Sequence, residues 1–201
     1  MKWPVLSLAL VALAPAAHAG CHGECARKDS AAVATQWSGD AKAPTRLILS
    51  SSSHGHGGPV WIAVEMQIAD GWFVYADTRR EQAGPQLEWS GSSNLAAPVL
   101  RWPPPEWITL DGKEVAVYRG HAVLPVAVSP LQPEGDIRIG LRLSYAVCGE
   151  VCRPGYAVHT ISLSAAPAPV TAAAAEQAAR IAAALALAEE SRAEKGRHSG
   201  E

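Results

Sequence analysis

The 201-residue sequence predicts an all-β protein, an immunoglobulin-like β-sandwich followed by a C-terminal Ala-rich helix. Three observations predict it. From about Leu47 to Leu163 the chain runs in short apolar/polar alternations broken by Gly, Pro, Asp and Asn, the pattern of closely spaced strands. Nothing in that interval has the period of a long amphipathic helix. Beyond it the composition changes abruptly to "SAAPAPVTAAAAEQAARIAAALALAEESRAEKGRHSGE".

The first element is "MKWPVLSLALVALAPAAHAGC", in which Lys2, an apolar run from Val5 to Leu13 and the small-residue end Ala17-His18-Ala19 follow the order of a signal peptide over 1–19. Export to the periplasm is the expectation. Cleavage there brings Cys21 near the new N-terminus and raises lipid attachment as the alternative, disfavoured because His18 stands where an aliphatic residue is usual. No later stretch approaches the roughly 20 apolar residues of a bilayer span, so no membrane span is expected in the mature chain. A formal charge of −2 offers no basic excess for nucleic acid.

Residues 20–44, polar and without period, read as a flexible segment with room for one early strand. Residues 45–165 read as the sandwich. Its strands are "TRLILSSSS", "VWIAVEMQIA", "WFVYAD", "QLEWSG", "PVLRW", "EVAVYRG", "HAVLPVAV", "DIRIGLRLSYAV" and "YAVHTISL". "RWPPPEW" cannot be an interior strand, because three prolines remove three ladder donors, and reads as an extended surface connection. Spacing alone does not separate a sandwich from a barrel. In 166–201, Pro167 and Pro169 mark a linker, Thr171 can cap a helix and Gly196 can end it. Its larger apolar residues, Ile181, Leu185 and Leu187, make a thin face, so it reads as a loosely docked helix or a spacer.

Four cysteines in two close pairs, 21/25 and 148/152, suggest local disulfides outside the cytoplasm. In "YAVCGEVCRPGY", residues 149–151 have the length of a three-residue hairpin loop, which sets Cys148 opposite Cys152 at a spacing a disulfide accepts. Alternation puts Cys148 on the face away from Leu141, Leu143, Tyr145 and Val147. Three readings stay open. A structural staple is inefficient, since closing about five residues contributes only about 2 kcal/mol against nearly 5 for about a hundred. A metal claw lacks nearby third and fourth ligands. A redox couple remains, although Arg153 and Glu150 pull the thiols in opposite directions and neither cysteine opens a helix.

A separate set of donors, Cys21, His22 and Cys25 in "CHGEC" with His54 and His56 in "SHGHGG", suits copper; mobile polar loops are the alternative. His121 and His159 read as ordinary strand residues. No serine-nucleophile set, phosphate loop or paired-carboxylate site stands out.

Three stretches resemble a known family: "DGWFVYAD" (70–77), "WPPPEWITLDGKEVAVYRGHAVLPVAV" (102–128) and "LSYAVCGEVCRPG" (143–155). Together, over about 45–165, the chain resembles the N-terminal periplasmic domain of the thiol:disulfide interchange protein DsbD, with its copper-sensitivity-suppressor relatives (ScsB). The resemblance implies an immunoglobulin-like sandwich that relays electrons without a cofactor. Its implied partners are a membrane-embedded donor, acting in trans because the chain ends at Glu201, and thioredoxin-fold periplasmic proteins. It implies that Cys152 forms the mixed disulfide, that Cys148 resolves it, and that Trp72 and Tyr75 lie near the site. A cap loop from Trp107 to Gly112, including Leu110, is implied to shield the disulfide. Leu110 and Asp111 stand where the family often has an aromatic before the cap glycine. Copper handling and a purely structural adaptor are the competing functions.

Overall fold

The computed structural model describes residues 32–55, 59–76 and 84–198. The expected signal peptide, Cys21, His22, Cys25 and His56 lie outside them. Among the described residues the elements are β1 Ser38–Asp40, β2 Ala43–Leu49, β3 Val60–Gln67, β4 Phe73–Tyr75, β5 Gln86–Glu88, β6 Val99–Leu100, β7 Glu106–Leu110, β8 Lys113–Tyr118, β9 His121–Val128, β10 Ile137–Cys148, β11 Cys152–Leu163 and α1 Ala172–His198. One sheet has the order β1-β2-β3-β9-β6 and the other β11-β10-β4-β8-β7, with β5 also paired to β10.

The two sheets form an immunoglobulin-like sandwich because alternation gives each one apolar face. Leu47 and Leu49 from β2, Ile62, Val64 and Met66 from β3, and Leu124 and Val126 from β9 meet Ile139, Leu141, Leu143 and Val147 from β10 in one core. Each such side chain, fully buried, contributes about 1.5–3 kcal/mol. Tyr145 projects from β10 across this core; its hydroxyl donates to the Ala43 carbonyl at 2.7 Å and accepts the Asp40 N–H at 3.1 Å. Gly155 makes room for the ring, since a Cβ there would stand 2.6 Å from it.

Two expectations need correction. Flexibility does not extend to residue 44: from Val33 onward the chain is tied to the sheet, with Leu49 N–H bonded to the Val33 carbonyl at 2.8 Å and Thr35 N–H to the Leu47 carbonyl at 2.9 Å. Nor is α1 a loose spacer. It covers the outer face of the first sheet, where Ile181 and Ala184 pack on Ile48, Ala63 and Val123. Alanines on this face let the helix approach closely. Thr171 caps it by accepting the Ala174 N–H at 3.1 Å, while the helix continues past Gly196 to His198.

Beneath α1, Glu65 is fully buried. It accepts hydrogen bonds from Arg46 at 2.5 Å, His121 at 2.6 Å and Arg180 of the helix at 2.6 Å. Burial pushes its carboxyl up, but these donors together outweigh that and hold it below its ordinary value. No helix among the described residues is long and apolar enough to cross a membrane.

Candidate functional site

Cys148 ends β10 and Cys152 begins β11. They are register partners, their Cα atoms are 4.0 Å apart, and a disulfide joins them. Gly149-Glu150-Val151 forms the loop, closed by the Gly149 N–H to the Val151 carbonyl at 3.2 Å.

The two sulfurs have unequal surroundings. Cys148 is fully buried, on the side of its sheet facing away from the central core, in a separate apolar cluster with Phe73 and Val117. Phe73 is its register partner on β4. Tyr75, Ile108, Leu110, Val115 and Ala146 pack against the same cluster, and the Phe73 and Tyr75 rings meet edge to face at 5.4 Å. Cys152 is exposed.

Residues 107–110, expected as part of a cap loop, belong instead to strand β7, joined to β8 through Asp111 and Gly112. Both turn residues have positive φ, 49° and 73°, as a two-residue hairpin of the primed type requires. Alternation along β7 turns Ile108 and Leu110 toward the Cys148 cluster and leaves Trp107 65% exposed. Trp107 is thus no part of the cover over the sulfur. Ile108 and Phe73 were missed by sequence reasoning, although Phe73 lies two residues from Tyr75 and therefore on its face.

Trp72 lies on the core side of the hairpin. A Cβ added to Gly149 would come within 3.1 Å of its ring. The Arg153 guanidinium stacks on the same ring at 4.6 Å from the centroid and reaches Asp40 of the opposite sheet, with Nη2 donating to Oδ1 at 2.9 Å. Burial raises the Asp40 carboxyl, but the Lys42 N–H and Arg153 overcome it and hold the group below its ordinary value.

Of the expected copper donors, only His54 lies among the described residues. His54 is buried, not a free loop imidazole, and its Nε2–H donates to the Gly135 carbonyl at 3.0 Å. Among the described residues, no three His, Cys, Asp or Glu side chains converge as a metal site. His159 is buried between two threonine hydroxyls, Thr35 at 3.1 Å and Thr45 at 2.9 Å, and burial pushes its imidazole below its ordinary value.

A family model described as the N-terminal part of thiol:disulfide interchange protein DsbD matches residues 44–164. A search of curated proteins finds no match. Among solved structures, the N-terminal periplasmic domain of ScsB from Proteus mirabilis aligns at 23% identity with a TM-score of 0.55, over 76% of this chain and 59% of that one. This chain therefore spans about three fifths of that protein's length. The reduced N-terminal domain of DsbD from Neisseria meningitidis aligns at 21% identity with a TM-score of 0.31, over 54% of this chain and 85% of that one. The ScsB likeness bears on the fold alone; the family match spans more than half of the sequence and includes both cysteines of the hairpin. The chain belongs to the family of DsbD N-terminal domains, thiol:disulfide interchange modules built around a cysteine pair.

Proposed function

We propose that this protein is an exported interchange module whose Cys148/Cys152 pair relays two electrons between thiol proteins of the periplasm. The observation that carries the reading is the asymmetry of the pair, with Cys152 exposed and Cys148 buried among apolar side chains. Only an accessible sulfur can be attacked by a protein thiolate. The signal-peptide order of residues 1–19 and the family membership support the periplasmic setting.

In the reducing direction, a partner thiolate attacks Sγ of Cys152. The partner–Cys152 bond forms as the Cys148–Cys152 bond breaks, and Cys148 leaves as a thiolate that takes a proton from water. A second partner thiol then attacks the partner's own sulfur in the mixed disulfide and releases Cys152. The pair gains two electrons and the partner departs as a disulfide. Reversal of the same steps delivers the electrons onward, with Cys152 attacking and Cys148 resolving. Thioredoxin-fold proteins are the partners on one side and a membrane-embedded donor on the other.

Cys148→Ser, which keeps Cys152, should accumulate a mixed disulfide with an oxidised thioredoxin-fold protein, whereas Cys152→Ser should accumulate none. Equal trapping by both variants, or trapping by neither, defeats the proposal. A reduction potential below about −300 mV for the pair would assign it to the structural bonds instead.

A further inference from the structure

The side chains that share the outer face of β11 with Cys152 are Pro154, Tyr156, Val158, Thr160 and Ser162, because alternate residues of a strand point the same way. Tyr156 and Val158 are each 68% exposed, and Val151 in the hairpin loop is 66% exposed. An outer sheet face facing water is ordinarily polar, and this one becomes polar at Thr160 and Ser162. The apolar residues occupy the half of the strand next to the exposed sulfur. Burial in the core does not account for them.

The surface is also concave there. A cavity of about 380 Å³ is lined by Cys152, Pro154, Tyr156, Ser144, Ala146 and Gln86. A second, of about 260 Å³, continues along the same face between Tyr156, Val158, Ser144, Arg142 and Glu88. They share Tyr156 and Ser144, so a groove leads away from Cys152. From Cys152 to Val158 it extends about 20 Å at about 3.3 Å per residue, the length of an extended hexapeptide. Its charged residues are Arg142 and Glu88, register partners of opposite sign, and Arg153, whose charge is paired with Asp40, so the floor is close to neutral.

We propose that this groove is the docking track for the thiol partner: it receives an extended, apolar and uncharged segment flanking the partner's reactive cysteine. The inference rests on the interchange reading, because a partner must approach Cys152 and the groove is continuous with that sulfur. Apolar contact along the track aligns the partner's thiolate with the Cys148–Cys152 bond. A small thiol, which needs no alignment, gains nothing from it.

The test compares reduction of the oxidised full chain by thioredoxin and by dithiothreitol, in the wild type and in Tyr156→Ser/Val158→Thr. The double variant should lose about tenfold in its second-order rate with thioredoxin, the size of a modest interface hot spot, with no change with dithiothreitol. Tyr156→Phe should retain the thioredoxin rate, and the wild-type rate should change little with salt. A variant rate with thioredoxin within twofold of wild type overturns the proposal, as does an equal loss with both reagents. A shift from dimer to monomer in the double variant, with the thioredoxin rate kept, would make the face a self-contact and also overturn it. If neither reagent opens the wild-type bond, the interchange reading falls and this inference with it.

Discussion

The guanidinium of Arg153 lies 4.6 Å from the ring centroid of Trp72, and that ring lies against Gly149 in the loop between the cysteines. Arg153 directly follows Cys152 and is anchored to Asp40 of the other sheet. The disulfide hairpin is therefore braced from the core side by a cation–aromatic stack, an interaction worth about 0.5–1 kcal/mol where it is partly solvated. Arg153→Lys keeps the charge for Asp40 but loses the planar stack. We expect the Gly149 amide to exchange severalfold faster in that variant, with the unfolding midpoint nearly unchanged. Unaltered exchange would mean that the loop is held by its own turn.

A second expectation concerns the cover over Cys148. Ile108 and Leu110 pack on its cluster, whereas Trp107 is turned outward. Ile108→Ala/Leu110→Ala should make the oxidised pair open severalfold faster with dithiothreitol, because water then reaches Cys148 to solvate and protonate the leaving thiolate. Trp107→Ala should react at the wild-type rate. If the tryptophan variant is the faster one, the cover has been assigned to the wrong face of β7.

Acid should weaken the fold in two stages. His159 has its imidazole pushed down by burial, so the unfolded chain binds the proton first. Stability is then complete above the unfolded value near 6.5 and declines as pH falls from there toward the lower folded value. Asp40 and Glu65 are also held below their ordinary values, 3.8 and 4.5, so their contributions are lost only as pH falls below those values. Urea unfolding across pH 7.5 to about 3 should show both declines, and His159→Gln should remove the upper one while leaving the lower. A flat profile between pH 7 and about 5 in the wild type would contradict the burial of a neutral His159.

The sandwich was legible because its inward faces alternate strictly: Leu141, Leu143, Tyr145 and Val147 declare the face of β10, and Cys148 follows on the other. The cover was legible only in part. Asp111-Gly112 between apolar runs is a hairpin signal, but the family resemblance implies a cap loop there, and a loop has no alternation with which to separate Leu110 from Trp107. The outer face of the first sheet was harder still. "LIL" in β2 and "VWIAVEM" in β3 are too continuously apolar for a solvated face, which implies a cover. The cover itself hides in alanines, whose small side chains carry little periodic signal, and in one carboxylate whose partners lie far apart in sequence.

That carboxylate gives the last prediction. Glu65 is buried and bonded to Arg46 and His121 on its own sheet and to Arg180 on α1, so one residue couples the helix to the strands. Removing the carboxylate leaves three donors without their partner, but Arg46, His121 and Arg180 keep 19%, 48% and 35% exposure, so water takes back part of the loss. Glu65→Gln should therefore destabilise the protein by about 1.5–3 kcal/mol, measured by urea unfolding, while Arg180→Ala, which leaves Arg46 and His121 on the carboxylate, should cost less. Ile181→Ala removes the buried side chain that seats α1 on Ile48, Ala63 and Val123 and should cost about 2–5 kcal/mol. If Glu65→Gln and Ile181→Ala are each within about 1 kcal/mol of wild type, the helix contributes little to the fold and its contact with the first sheet is incidental.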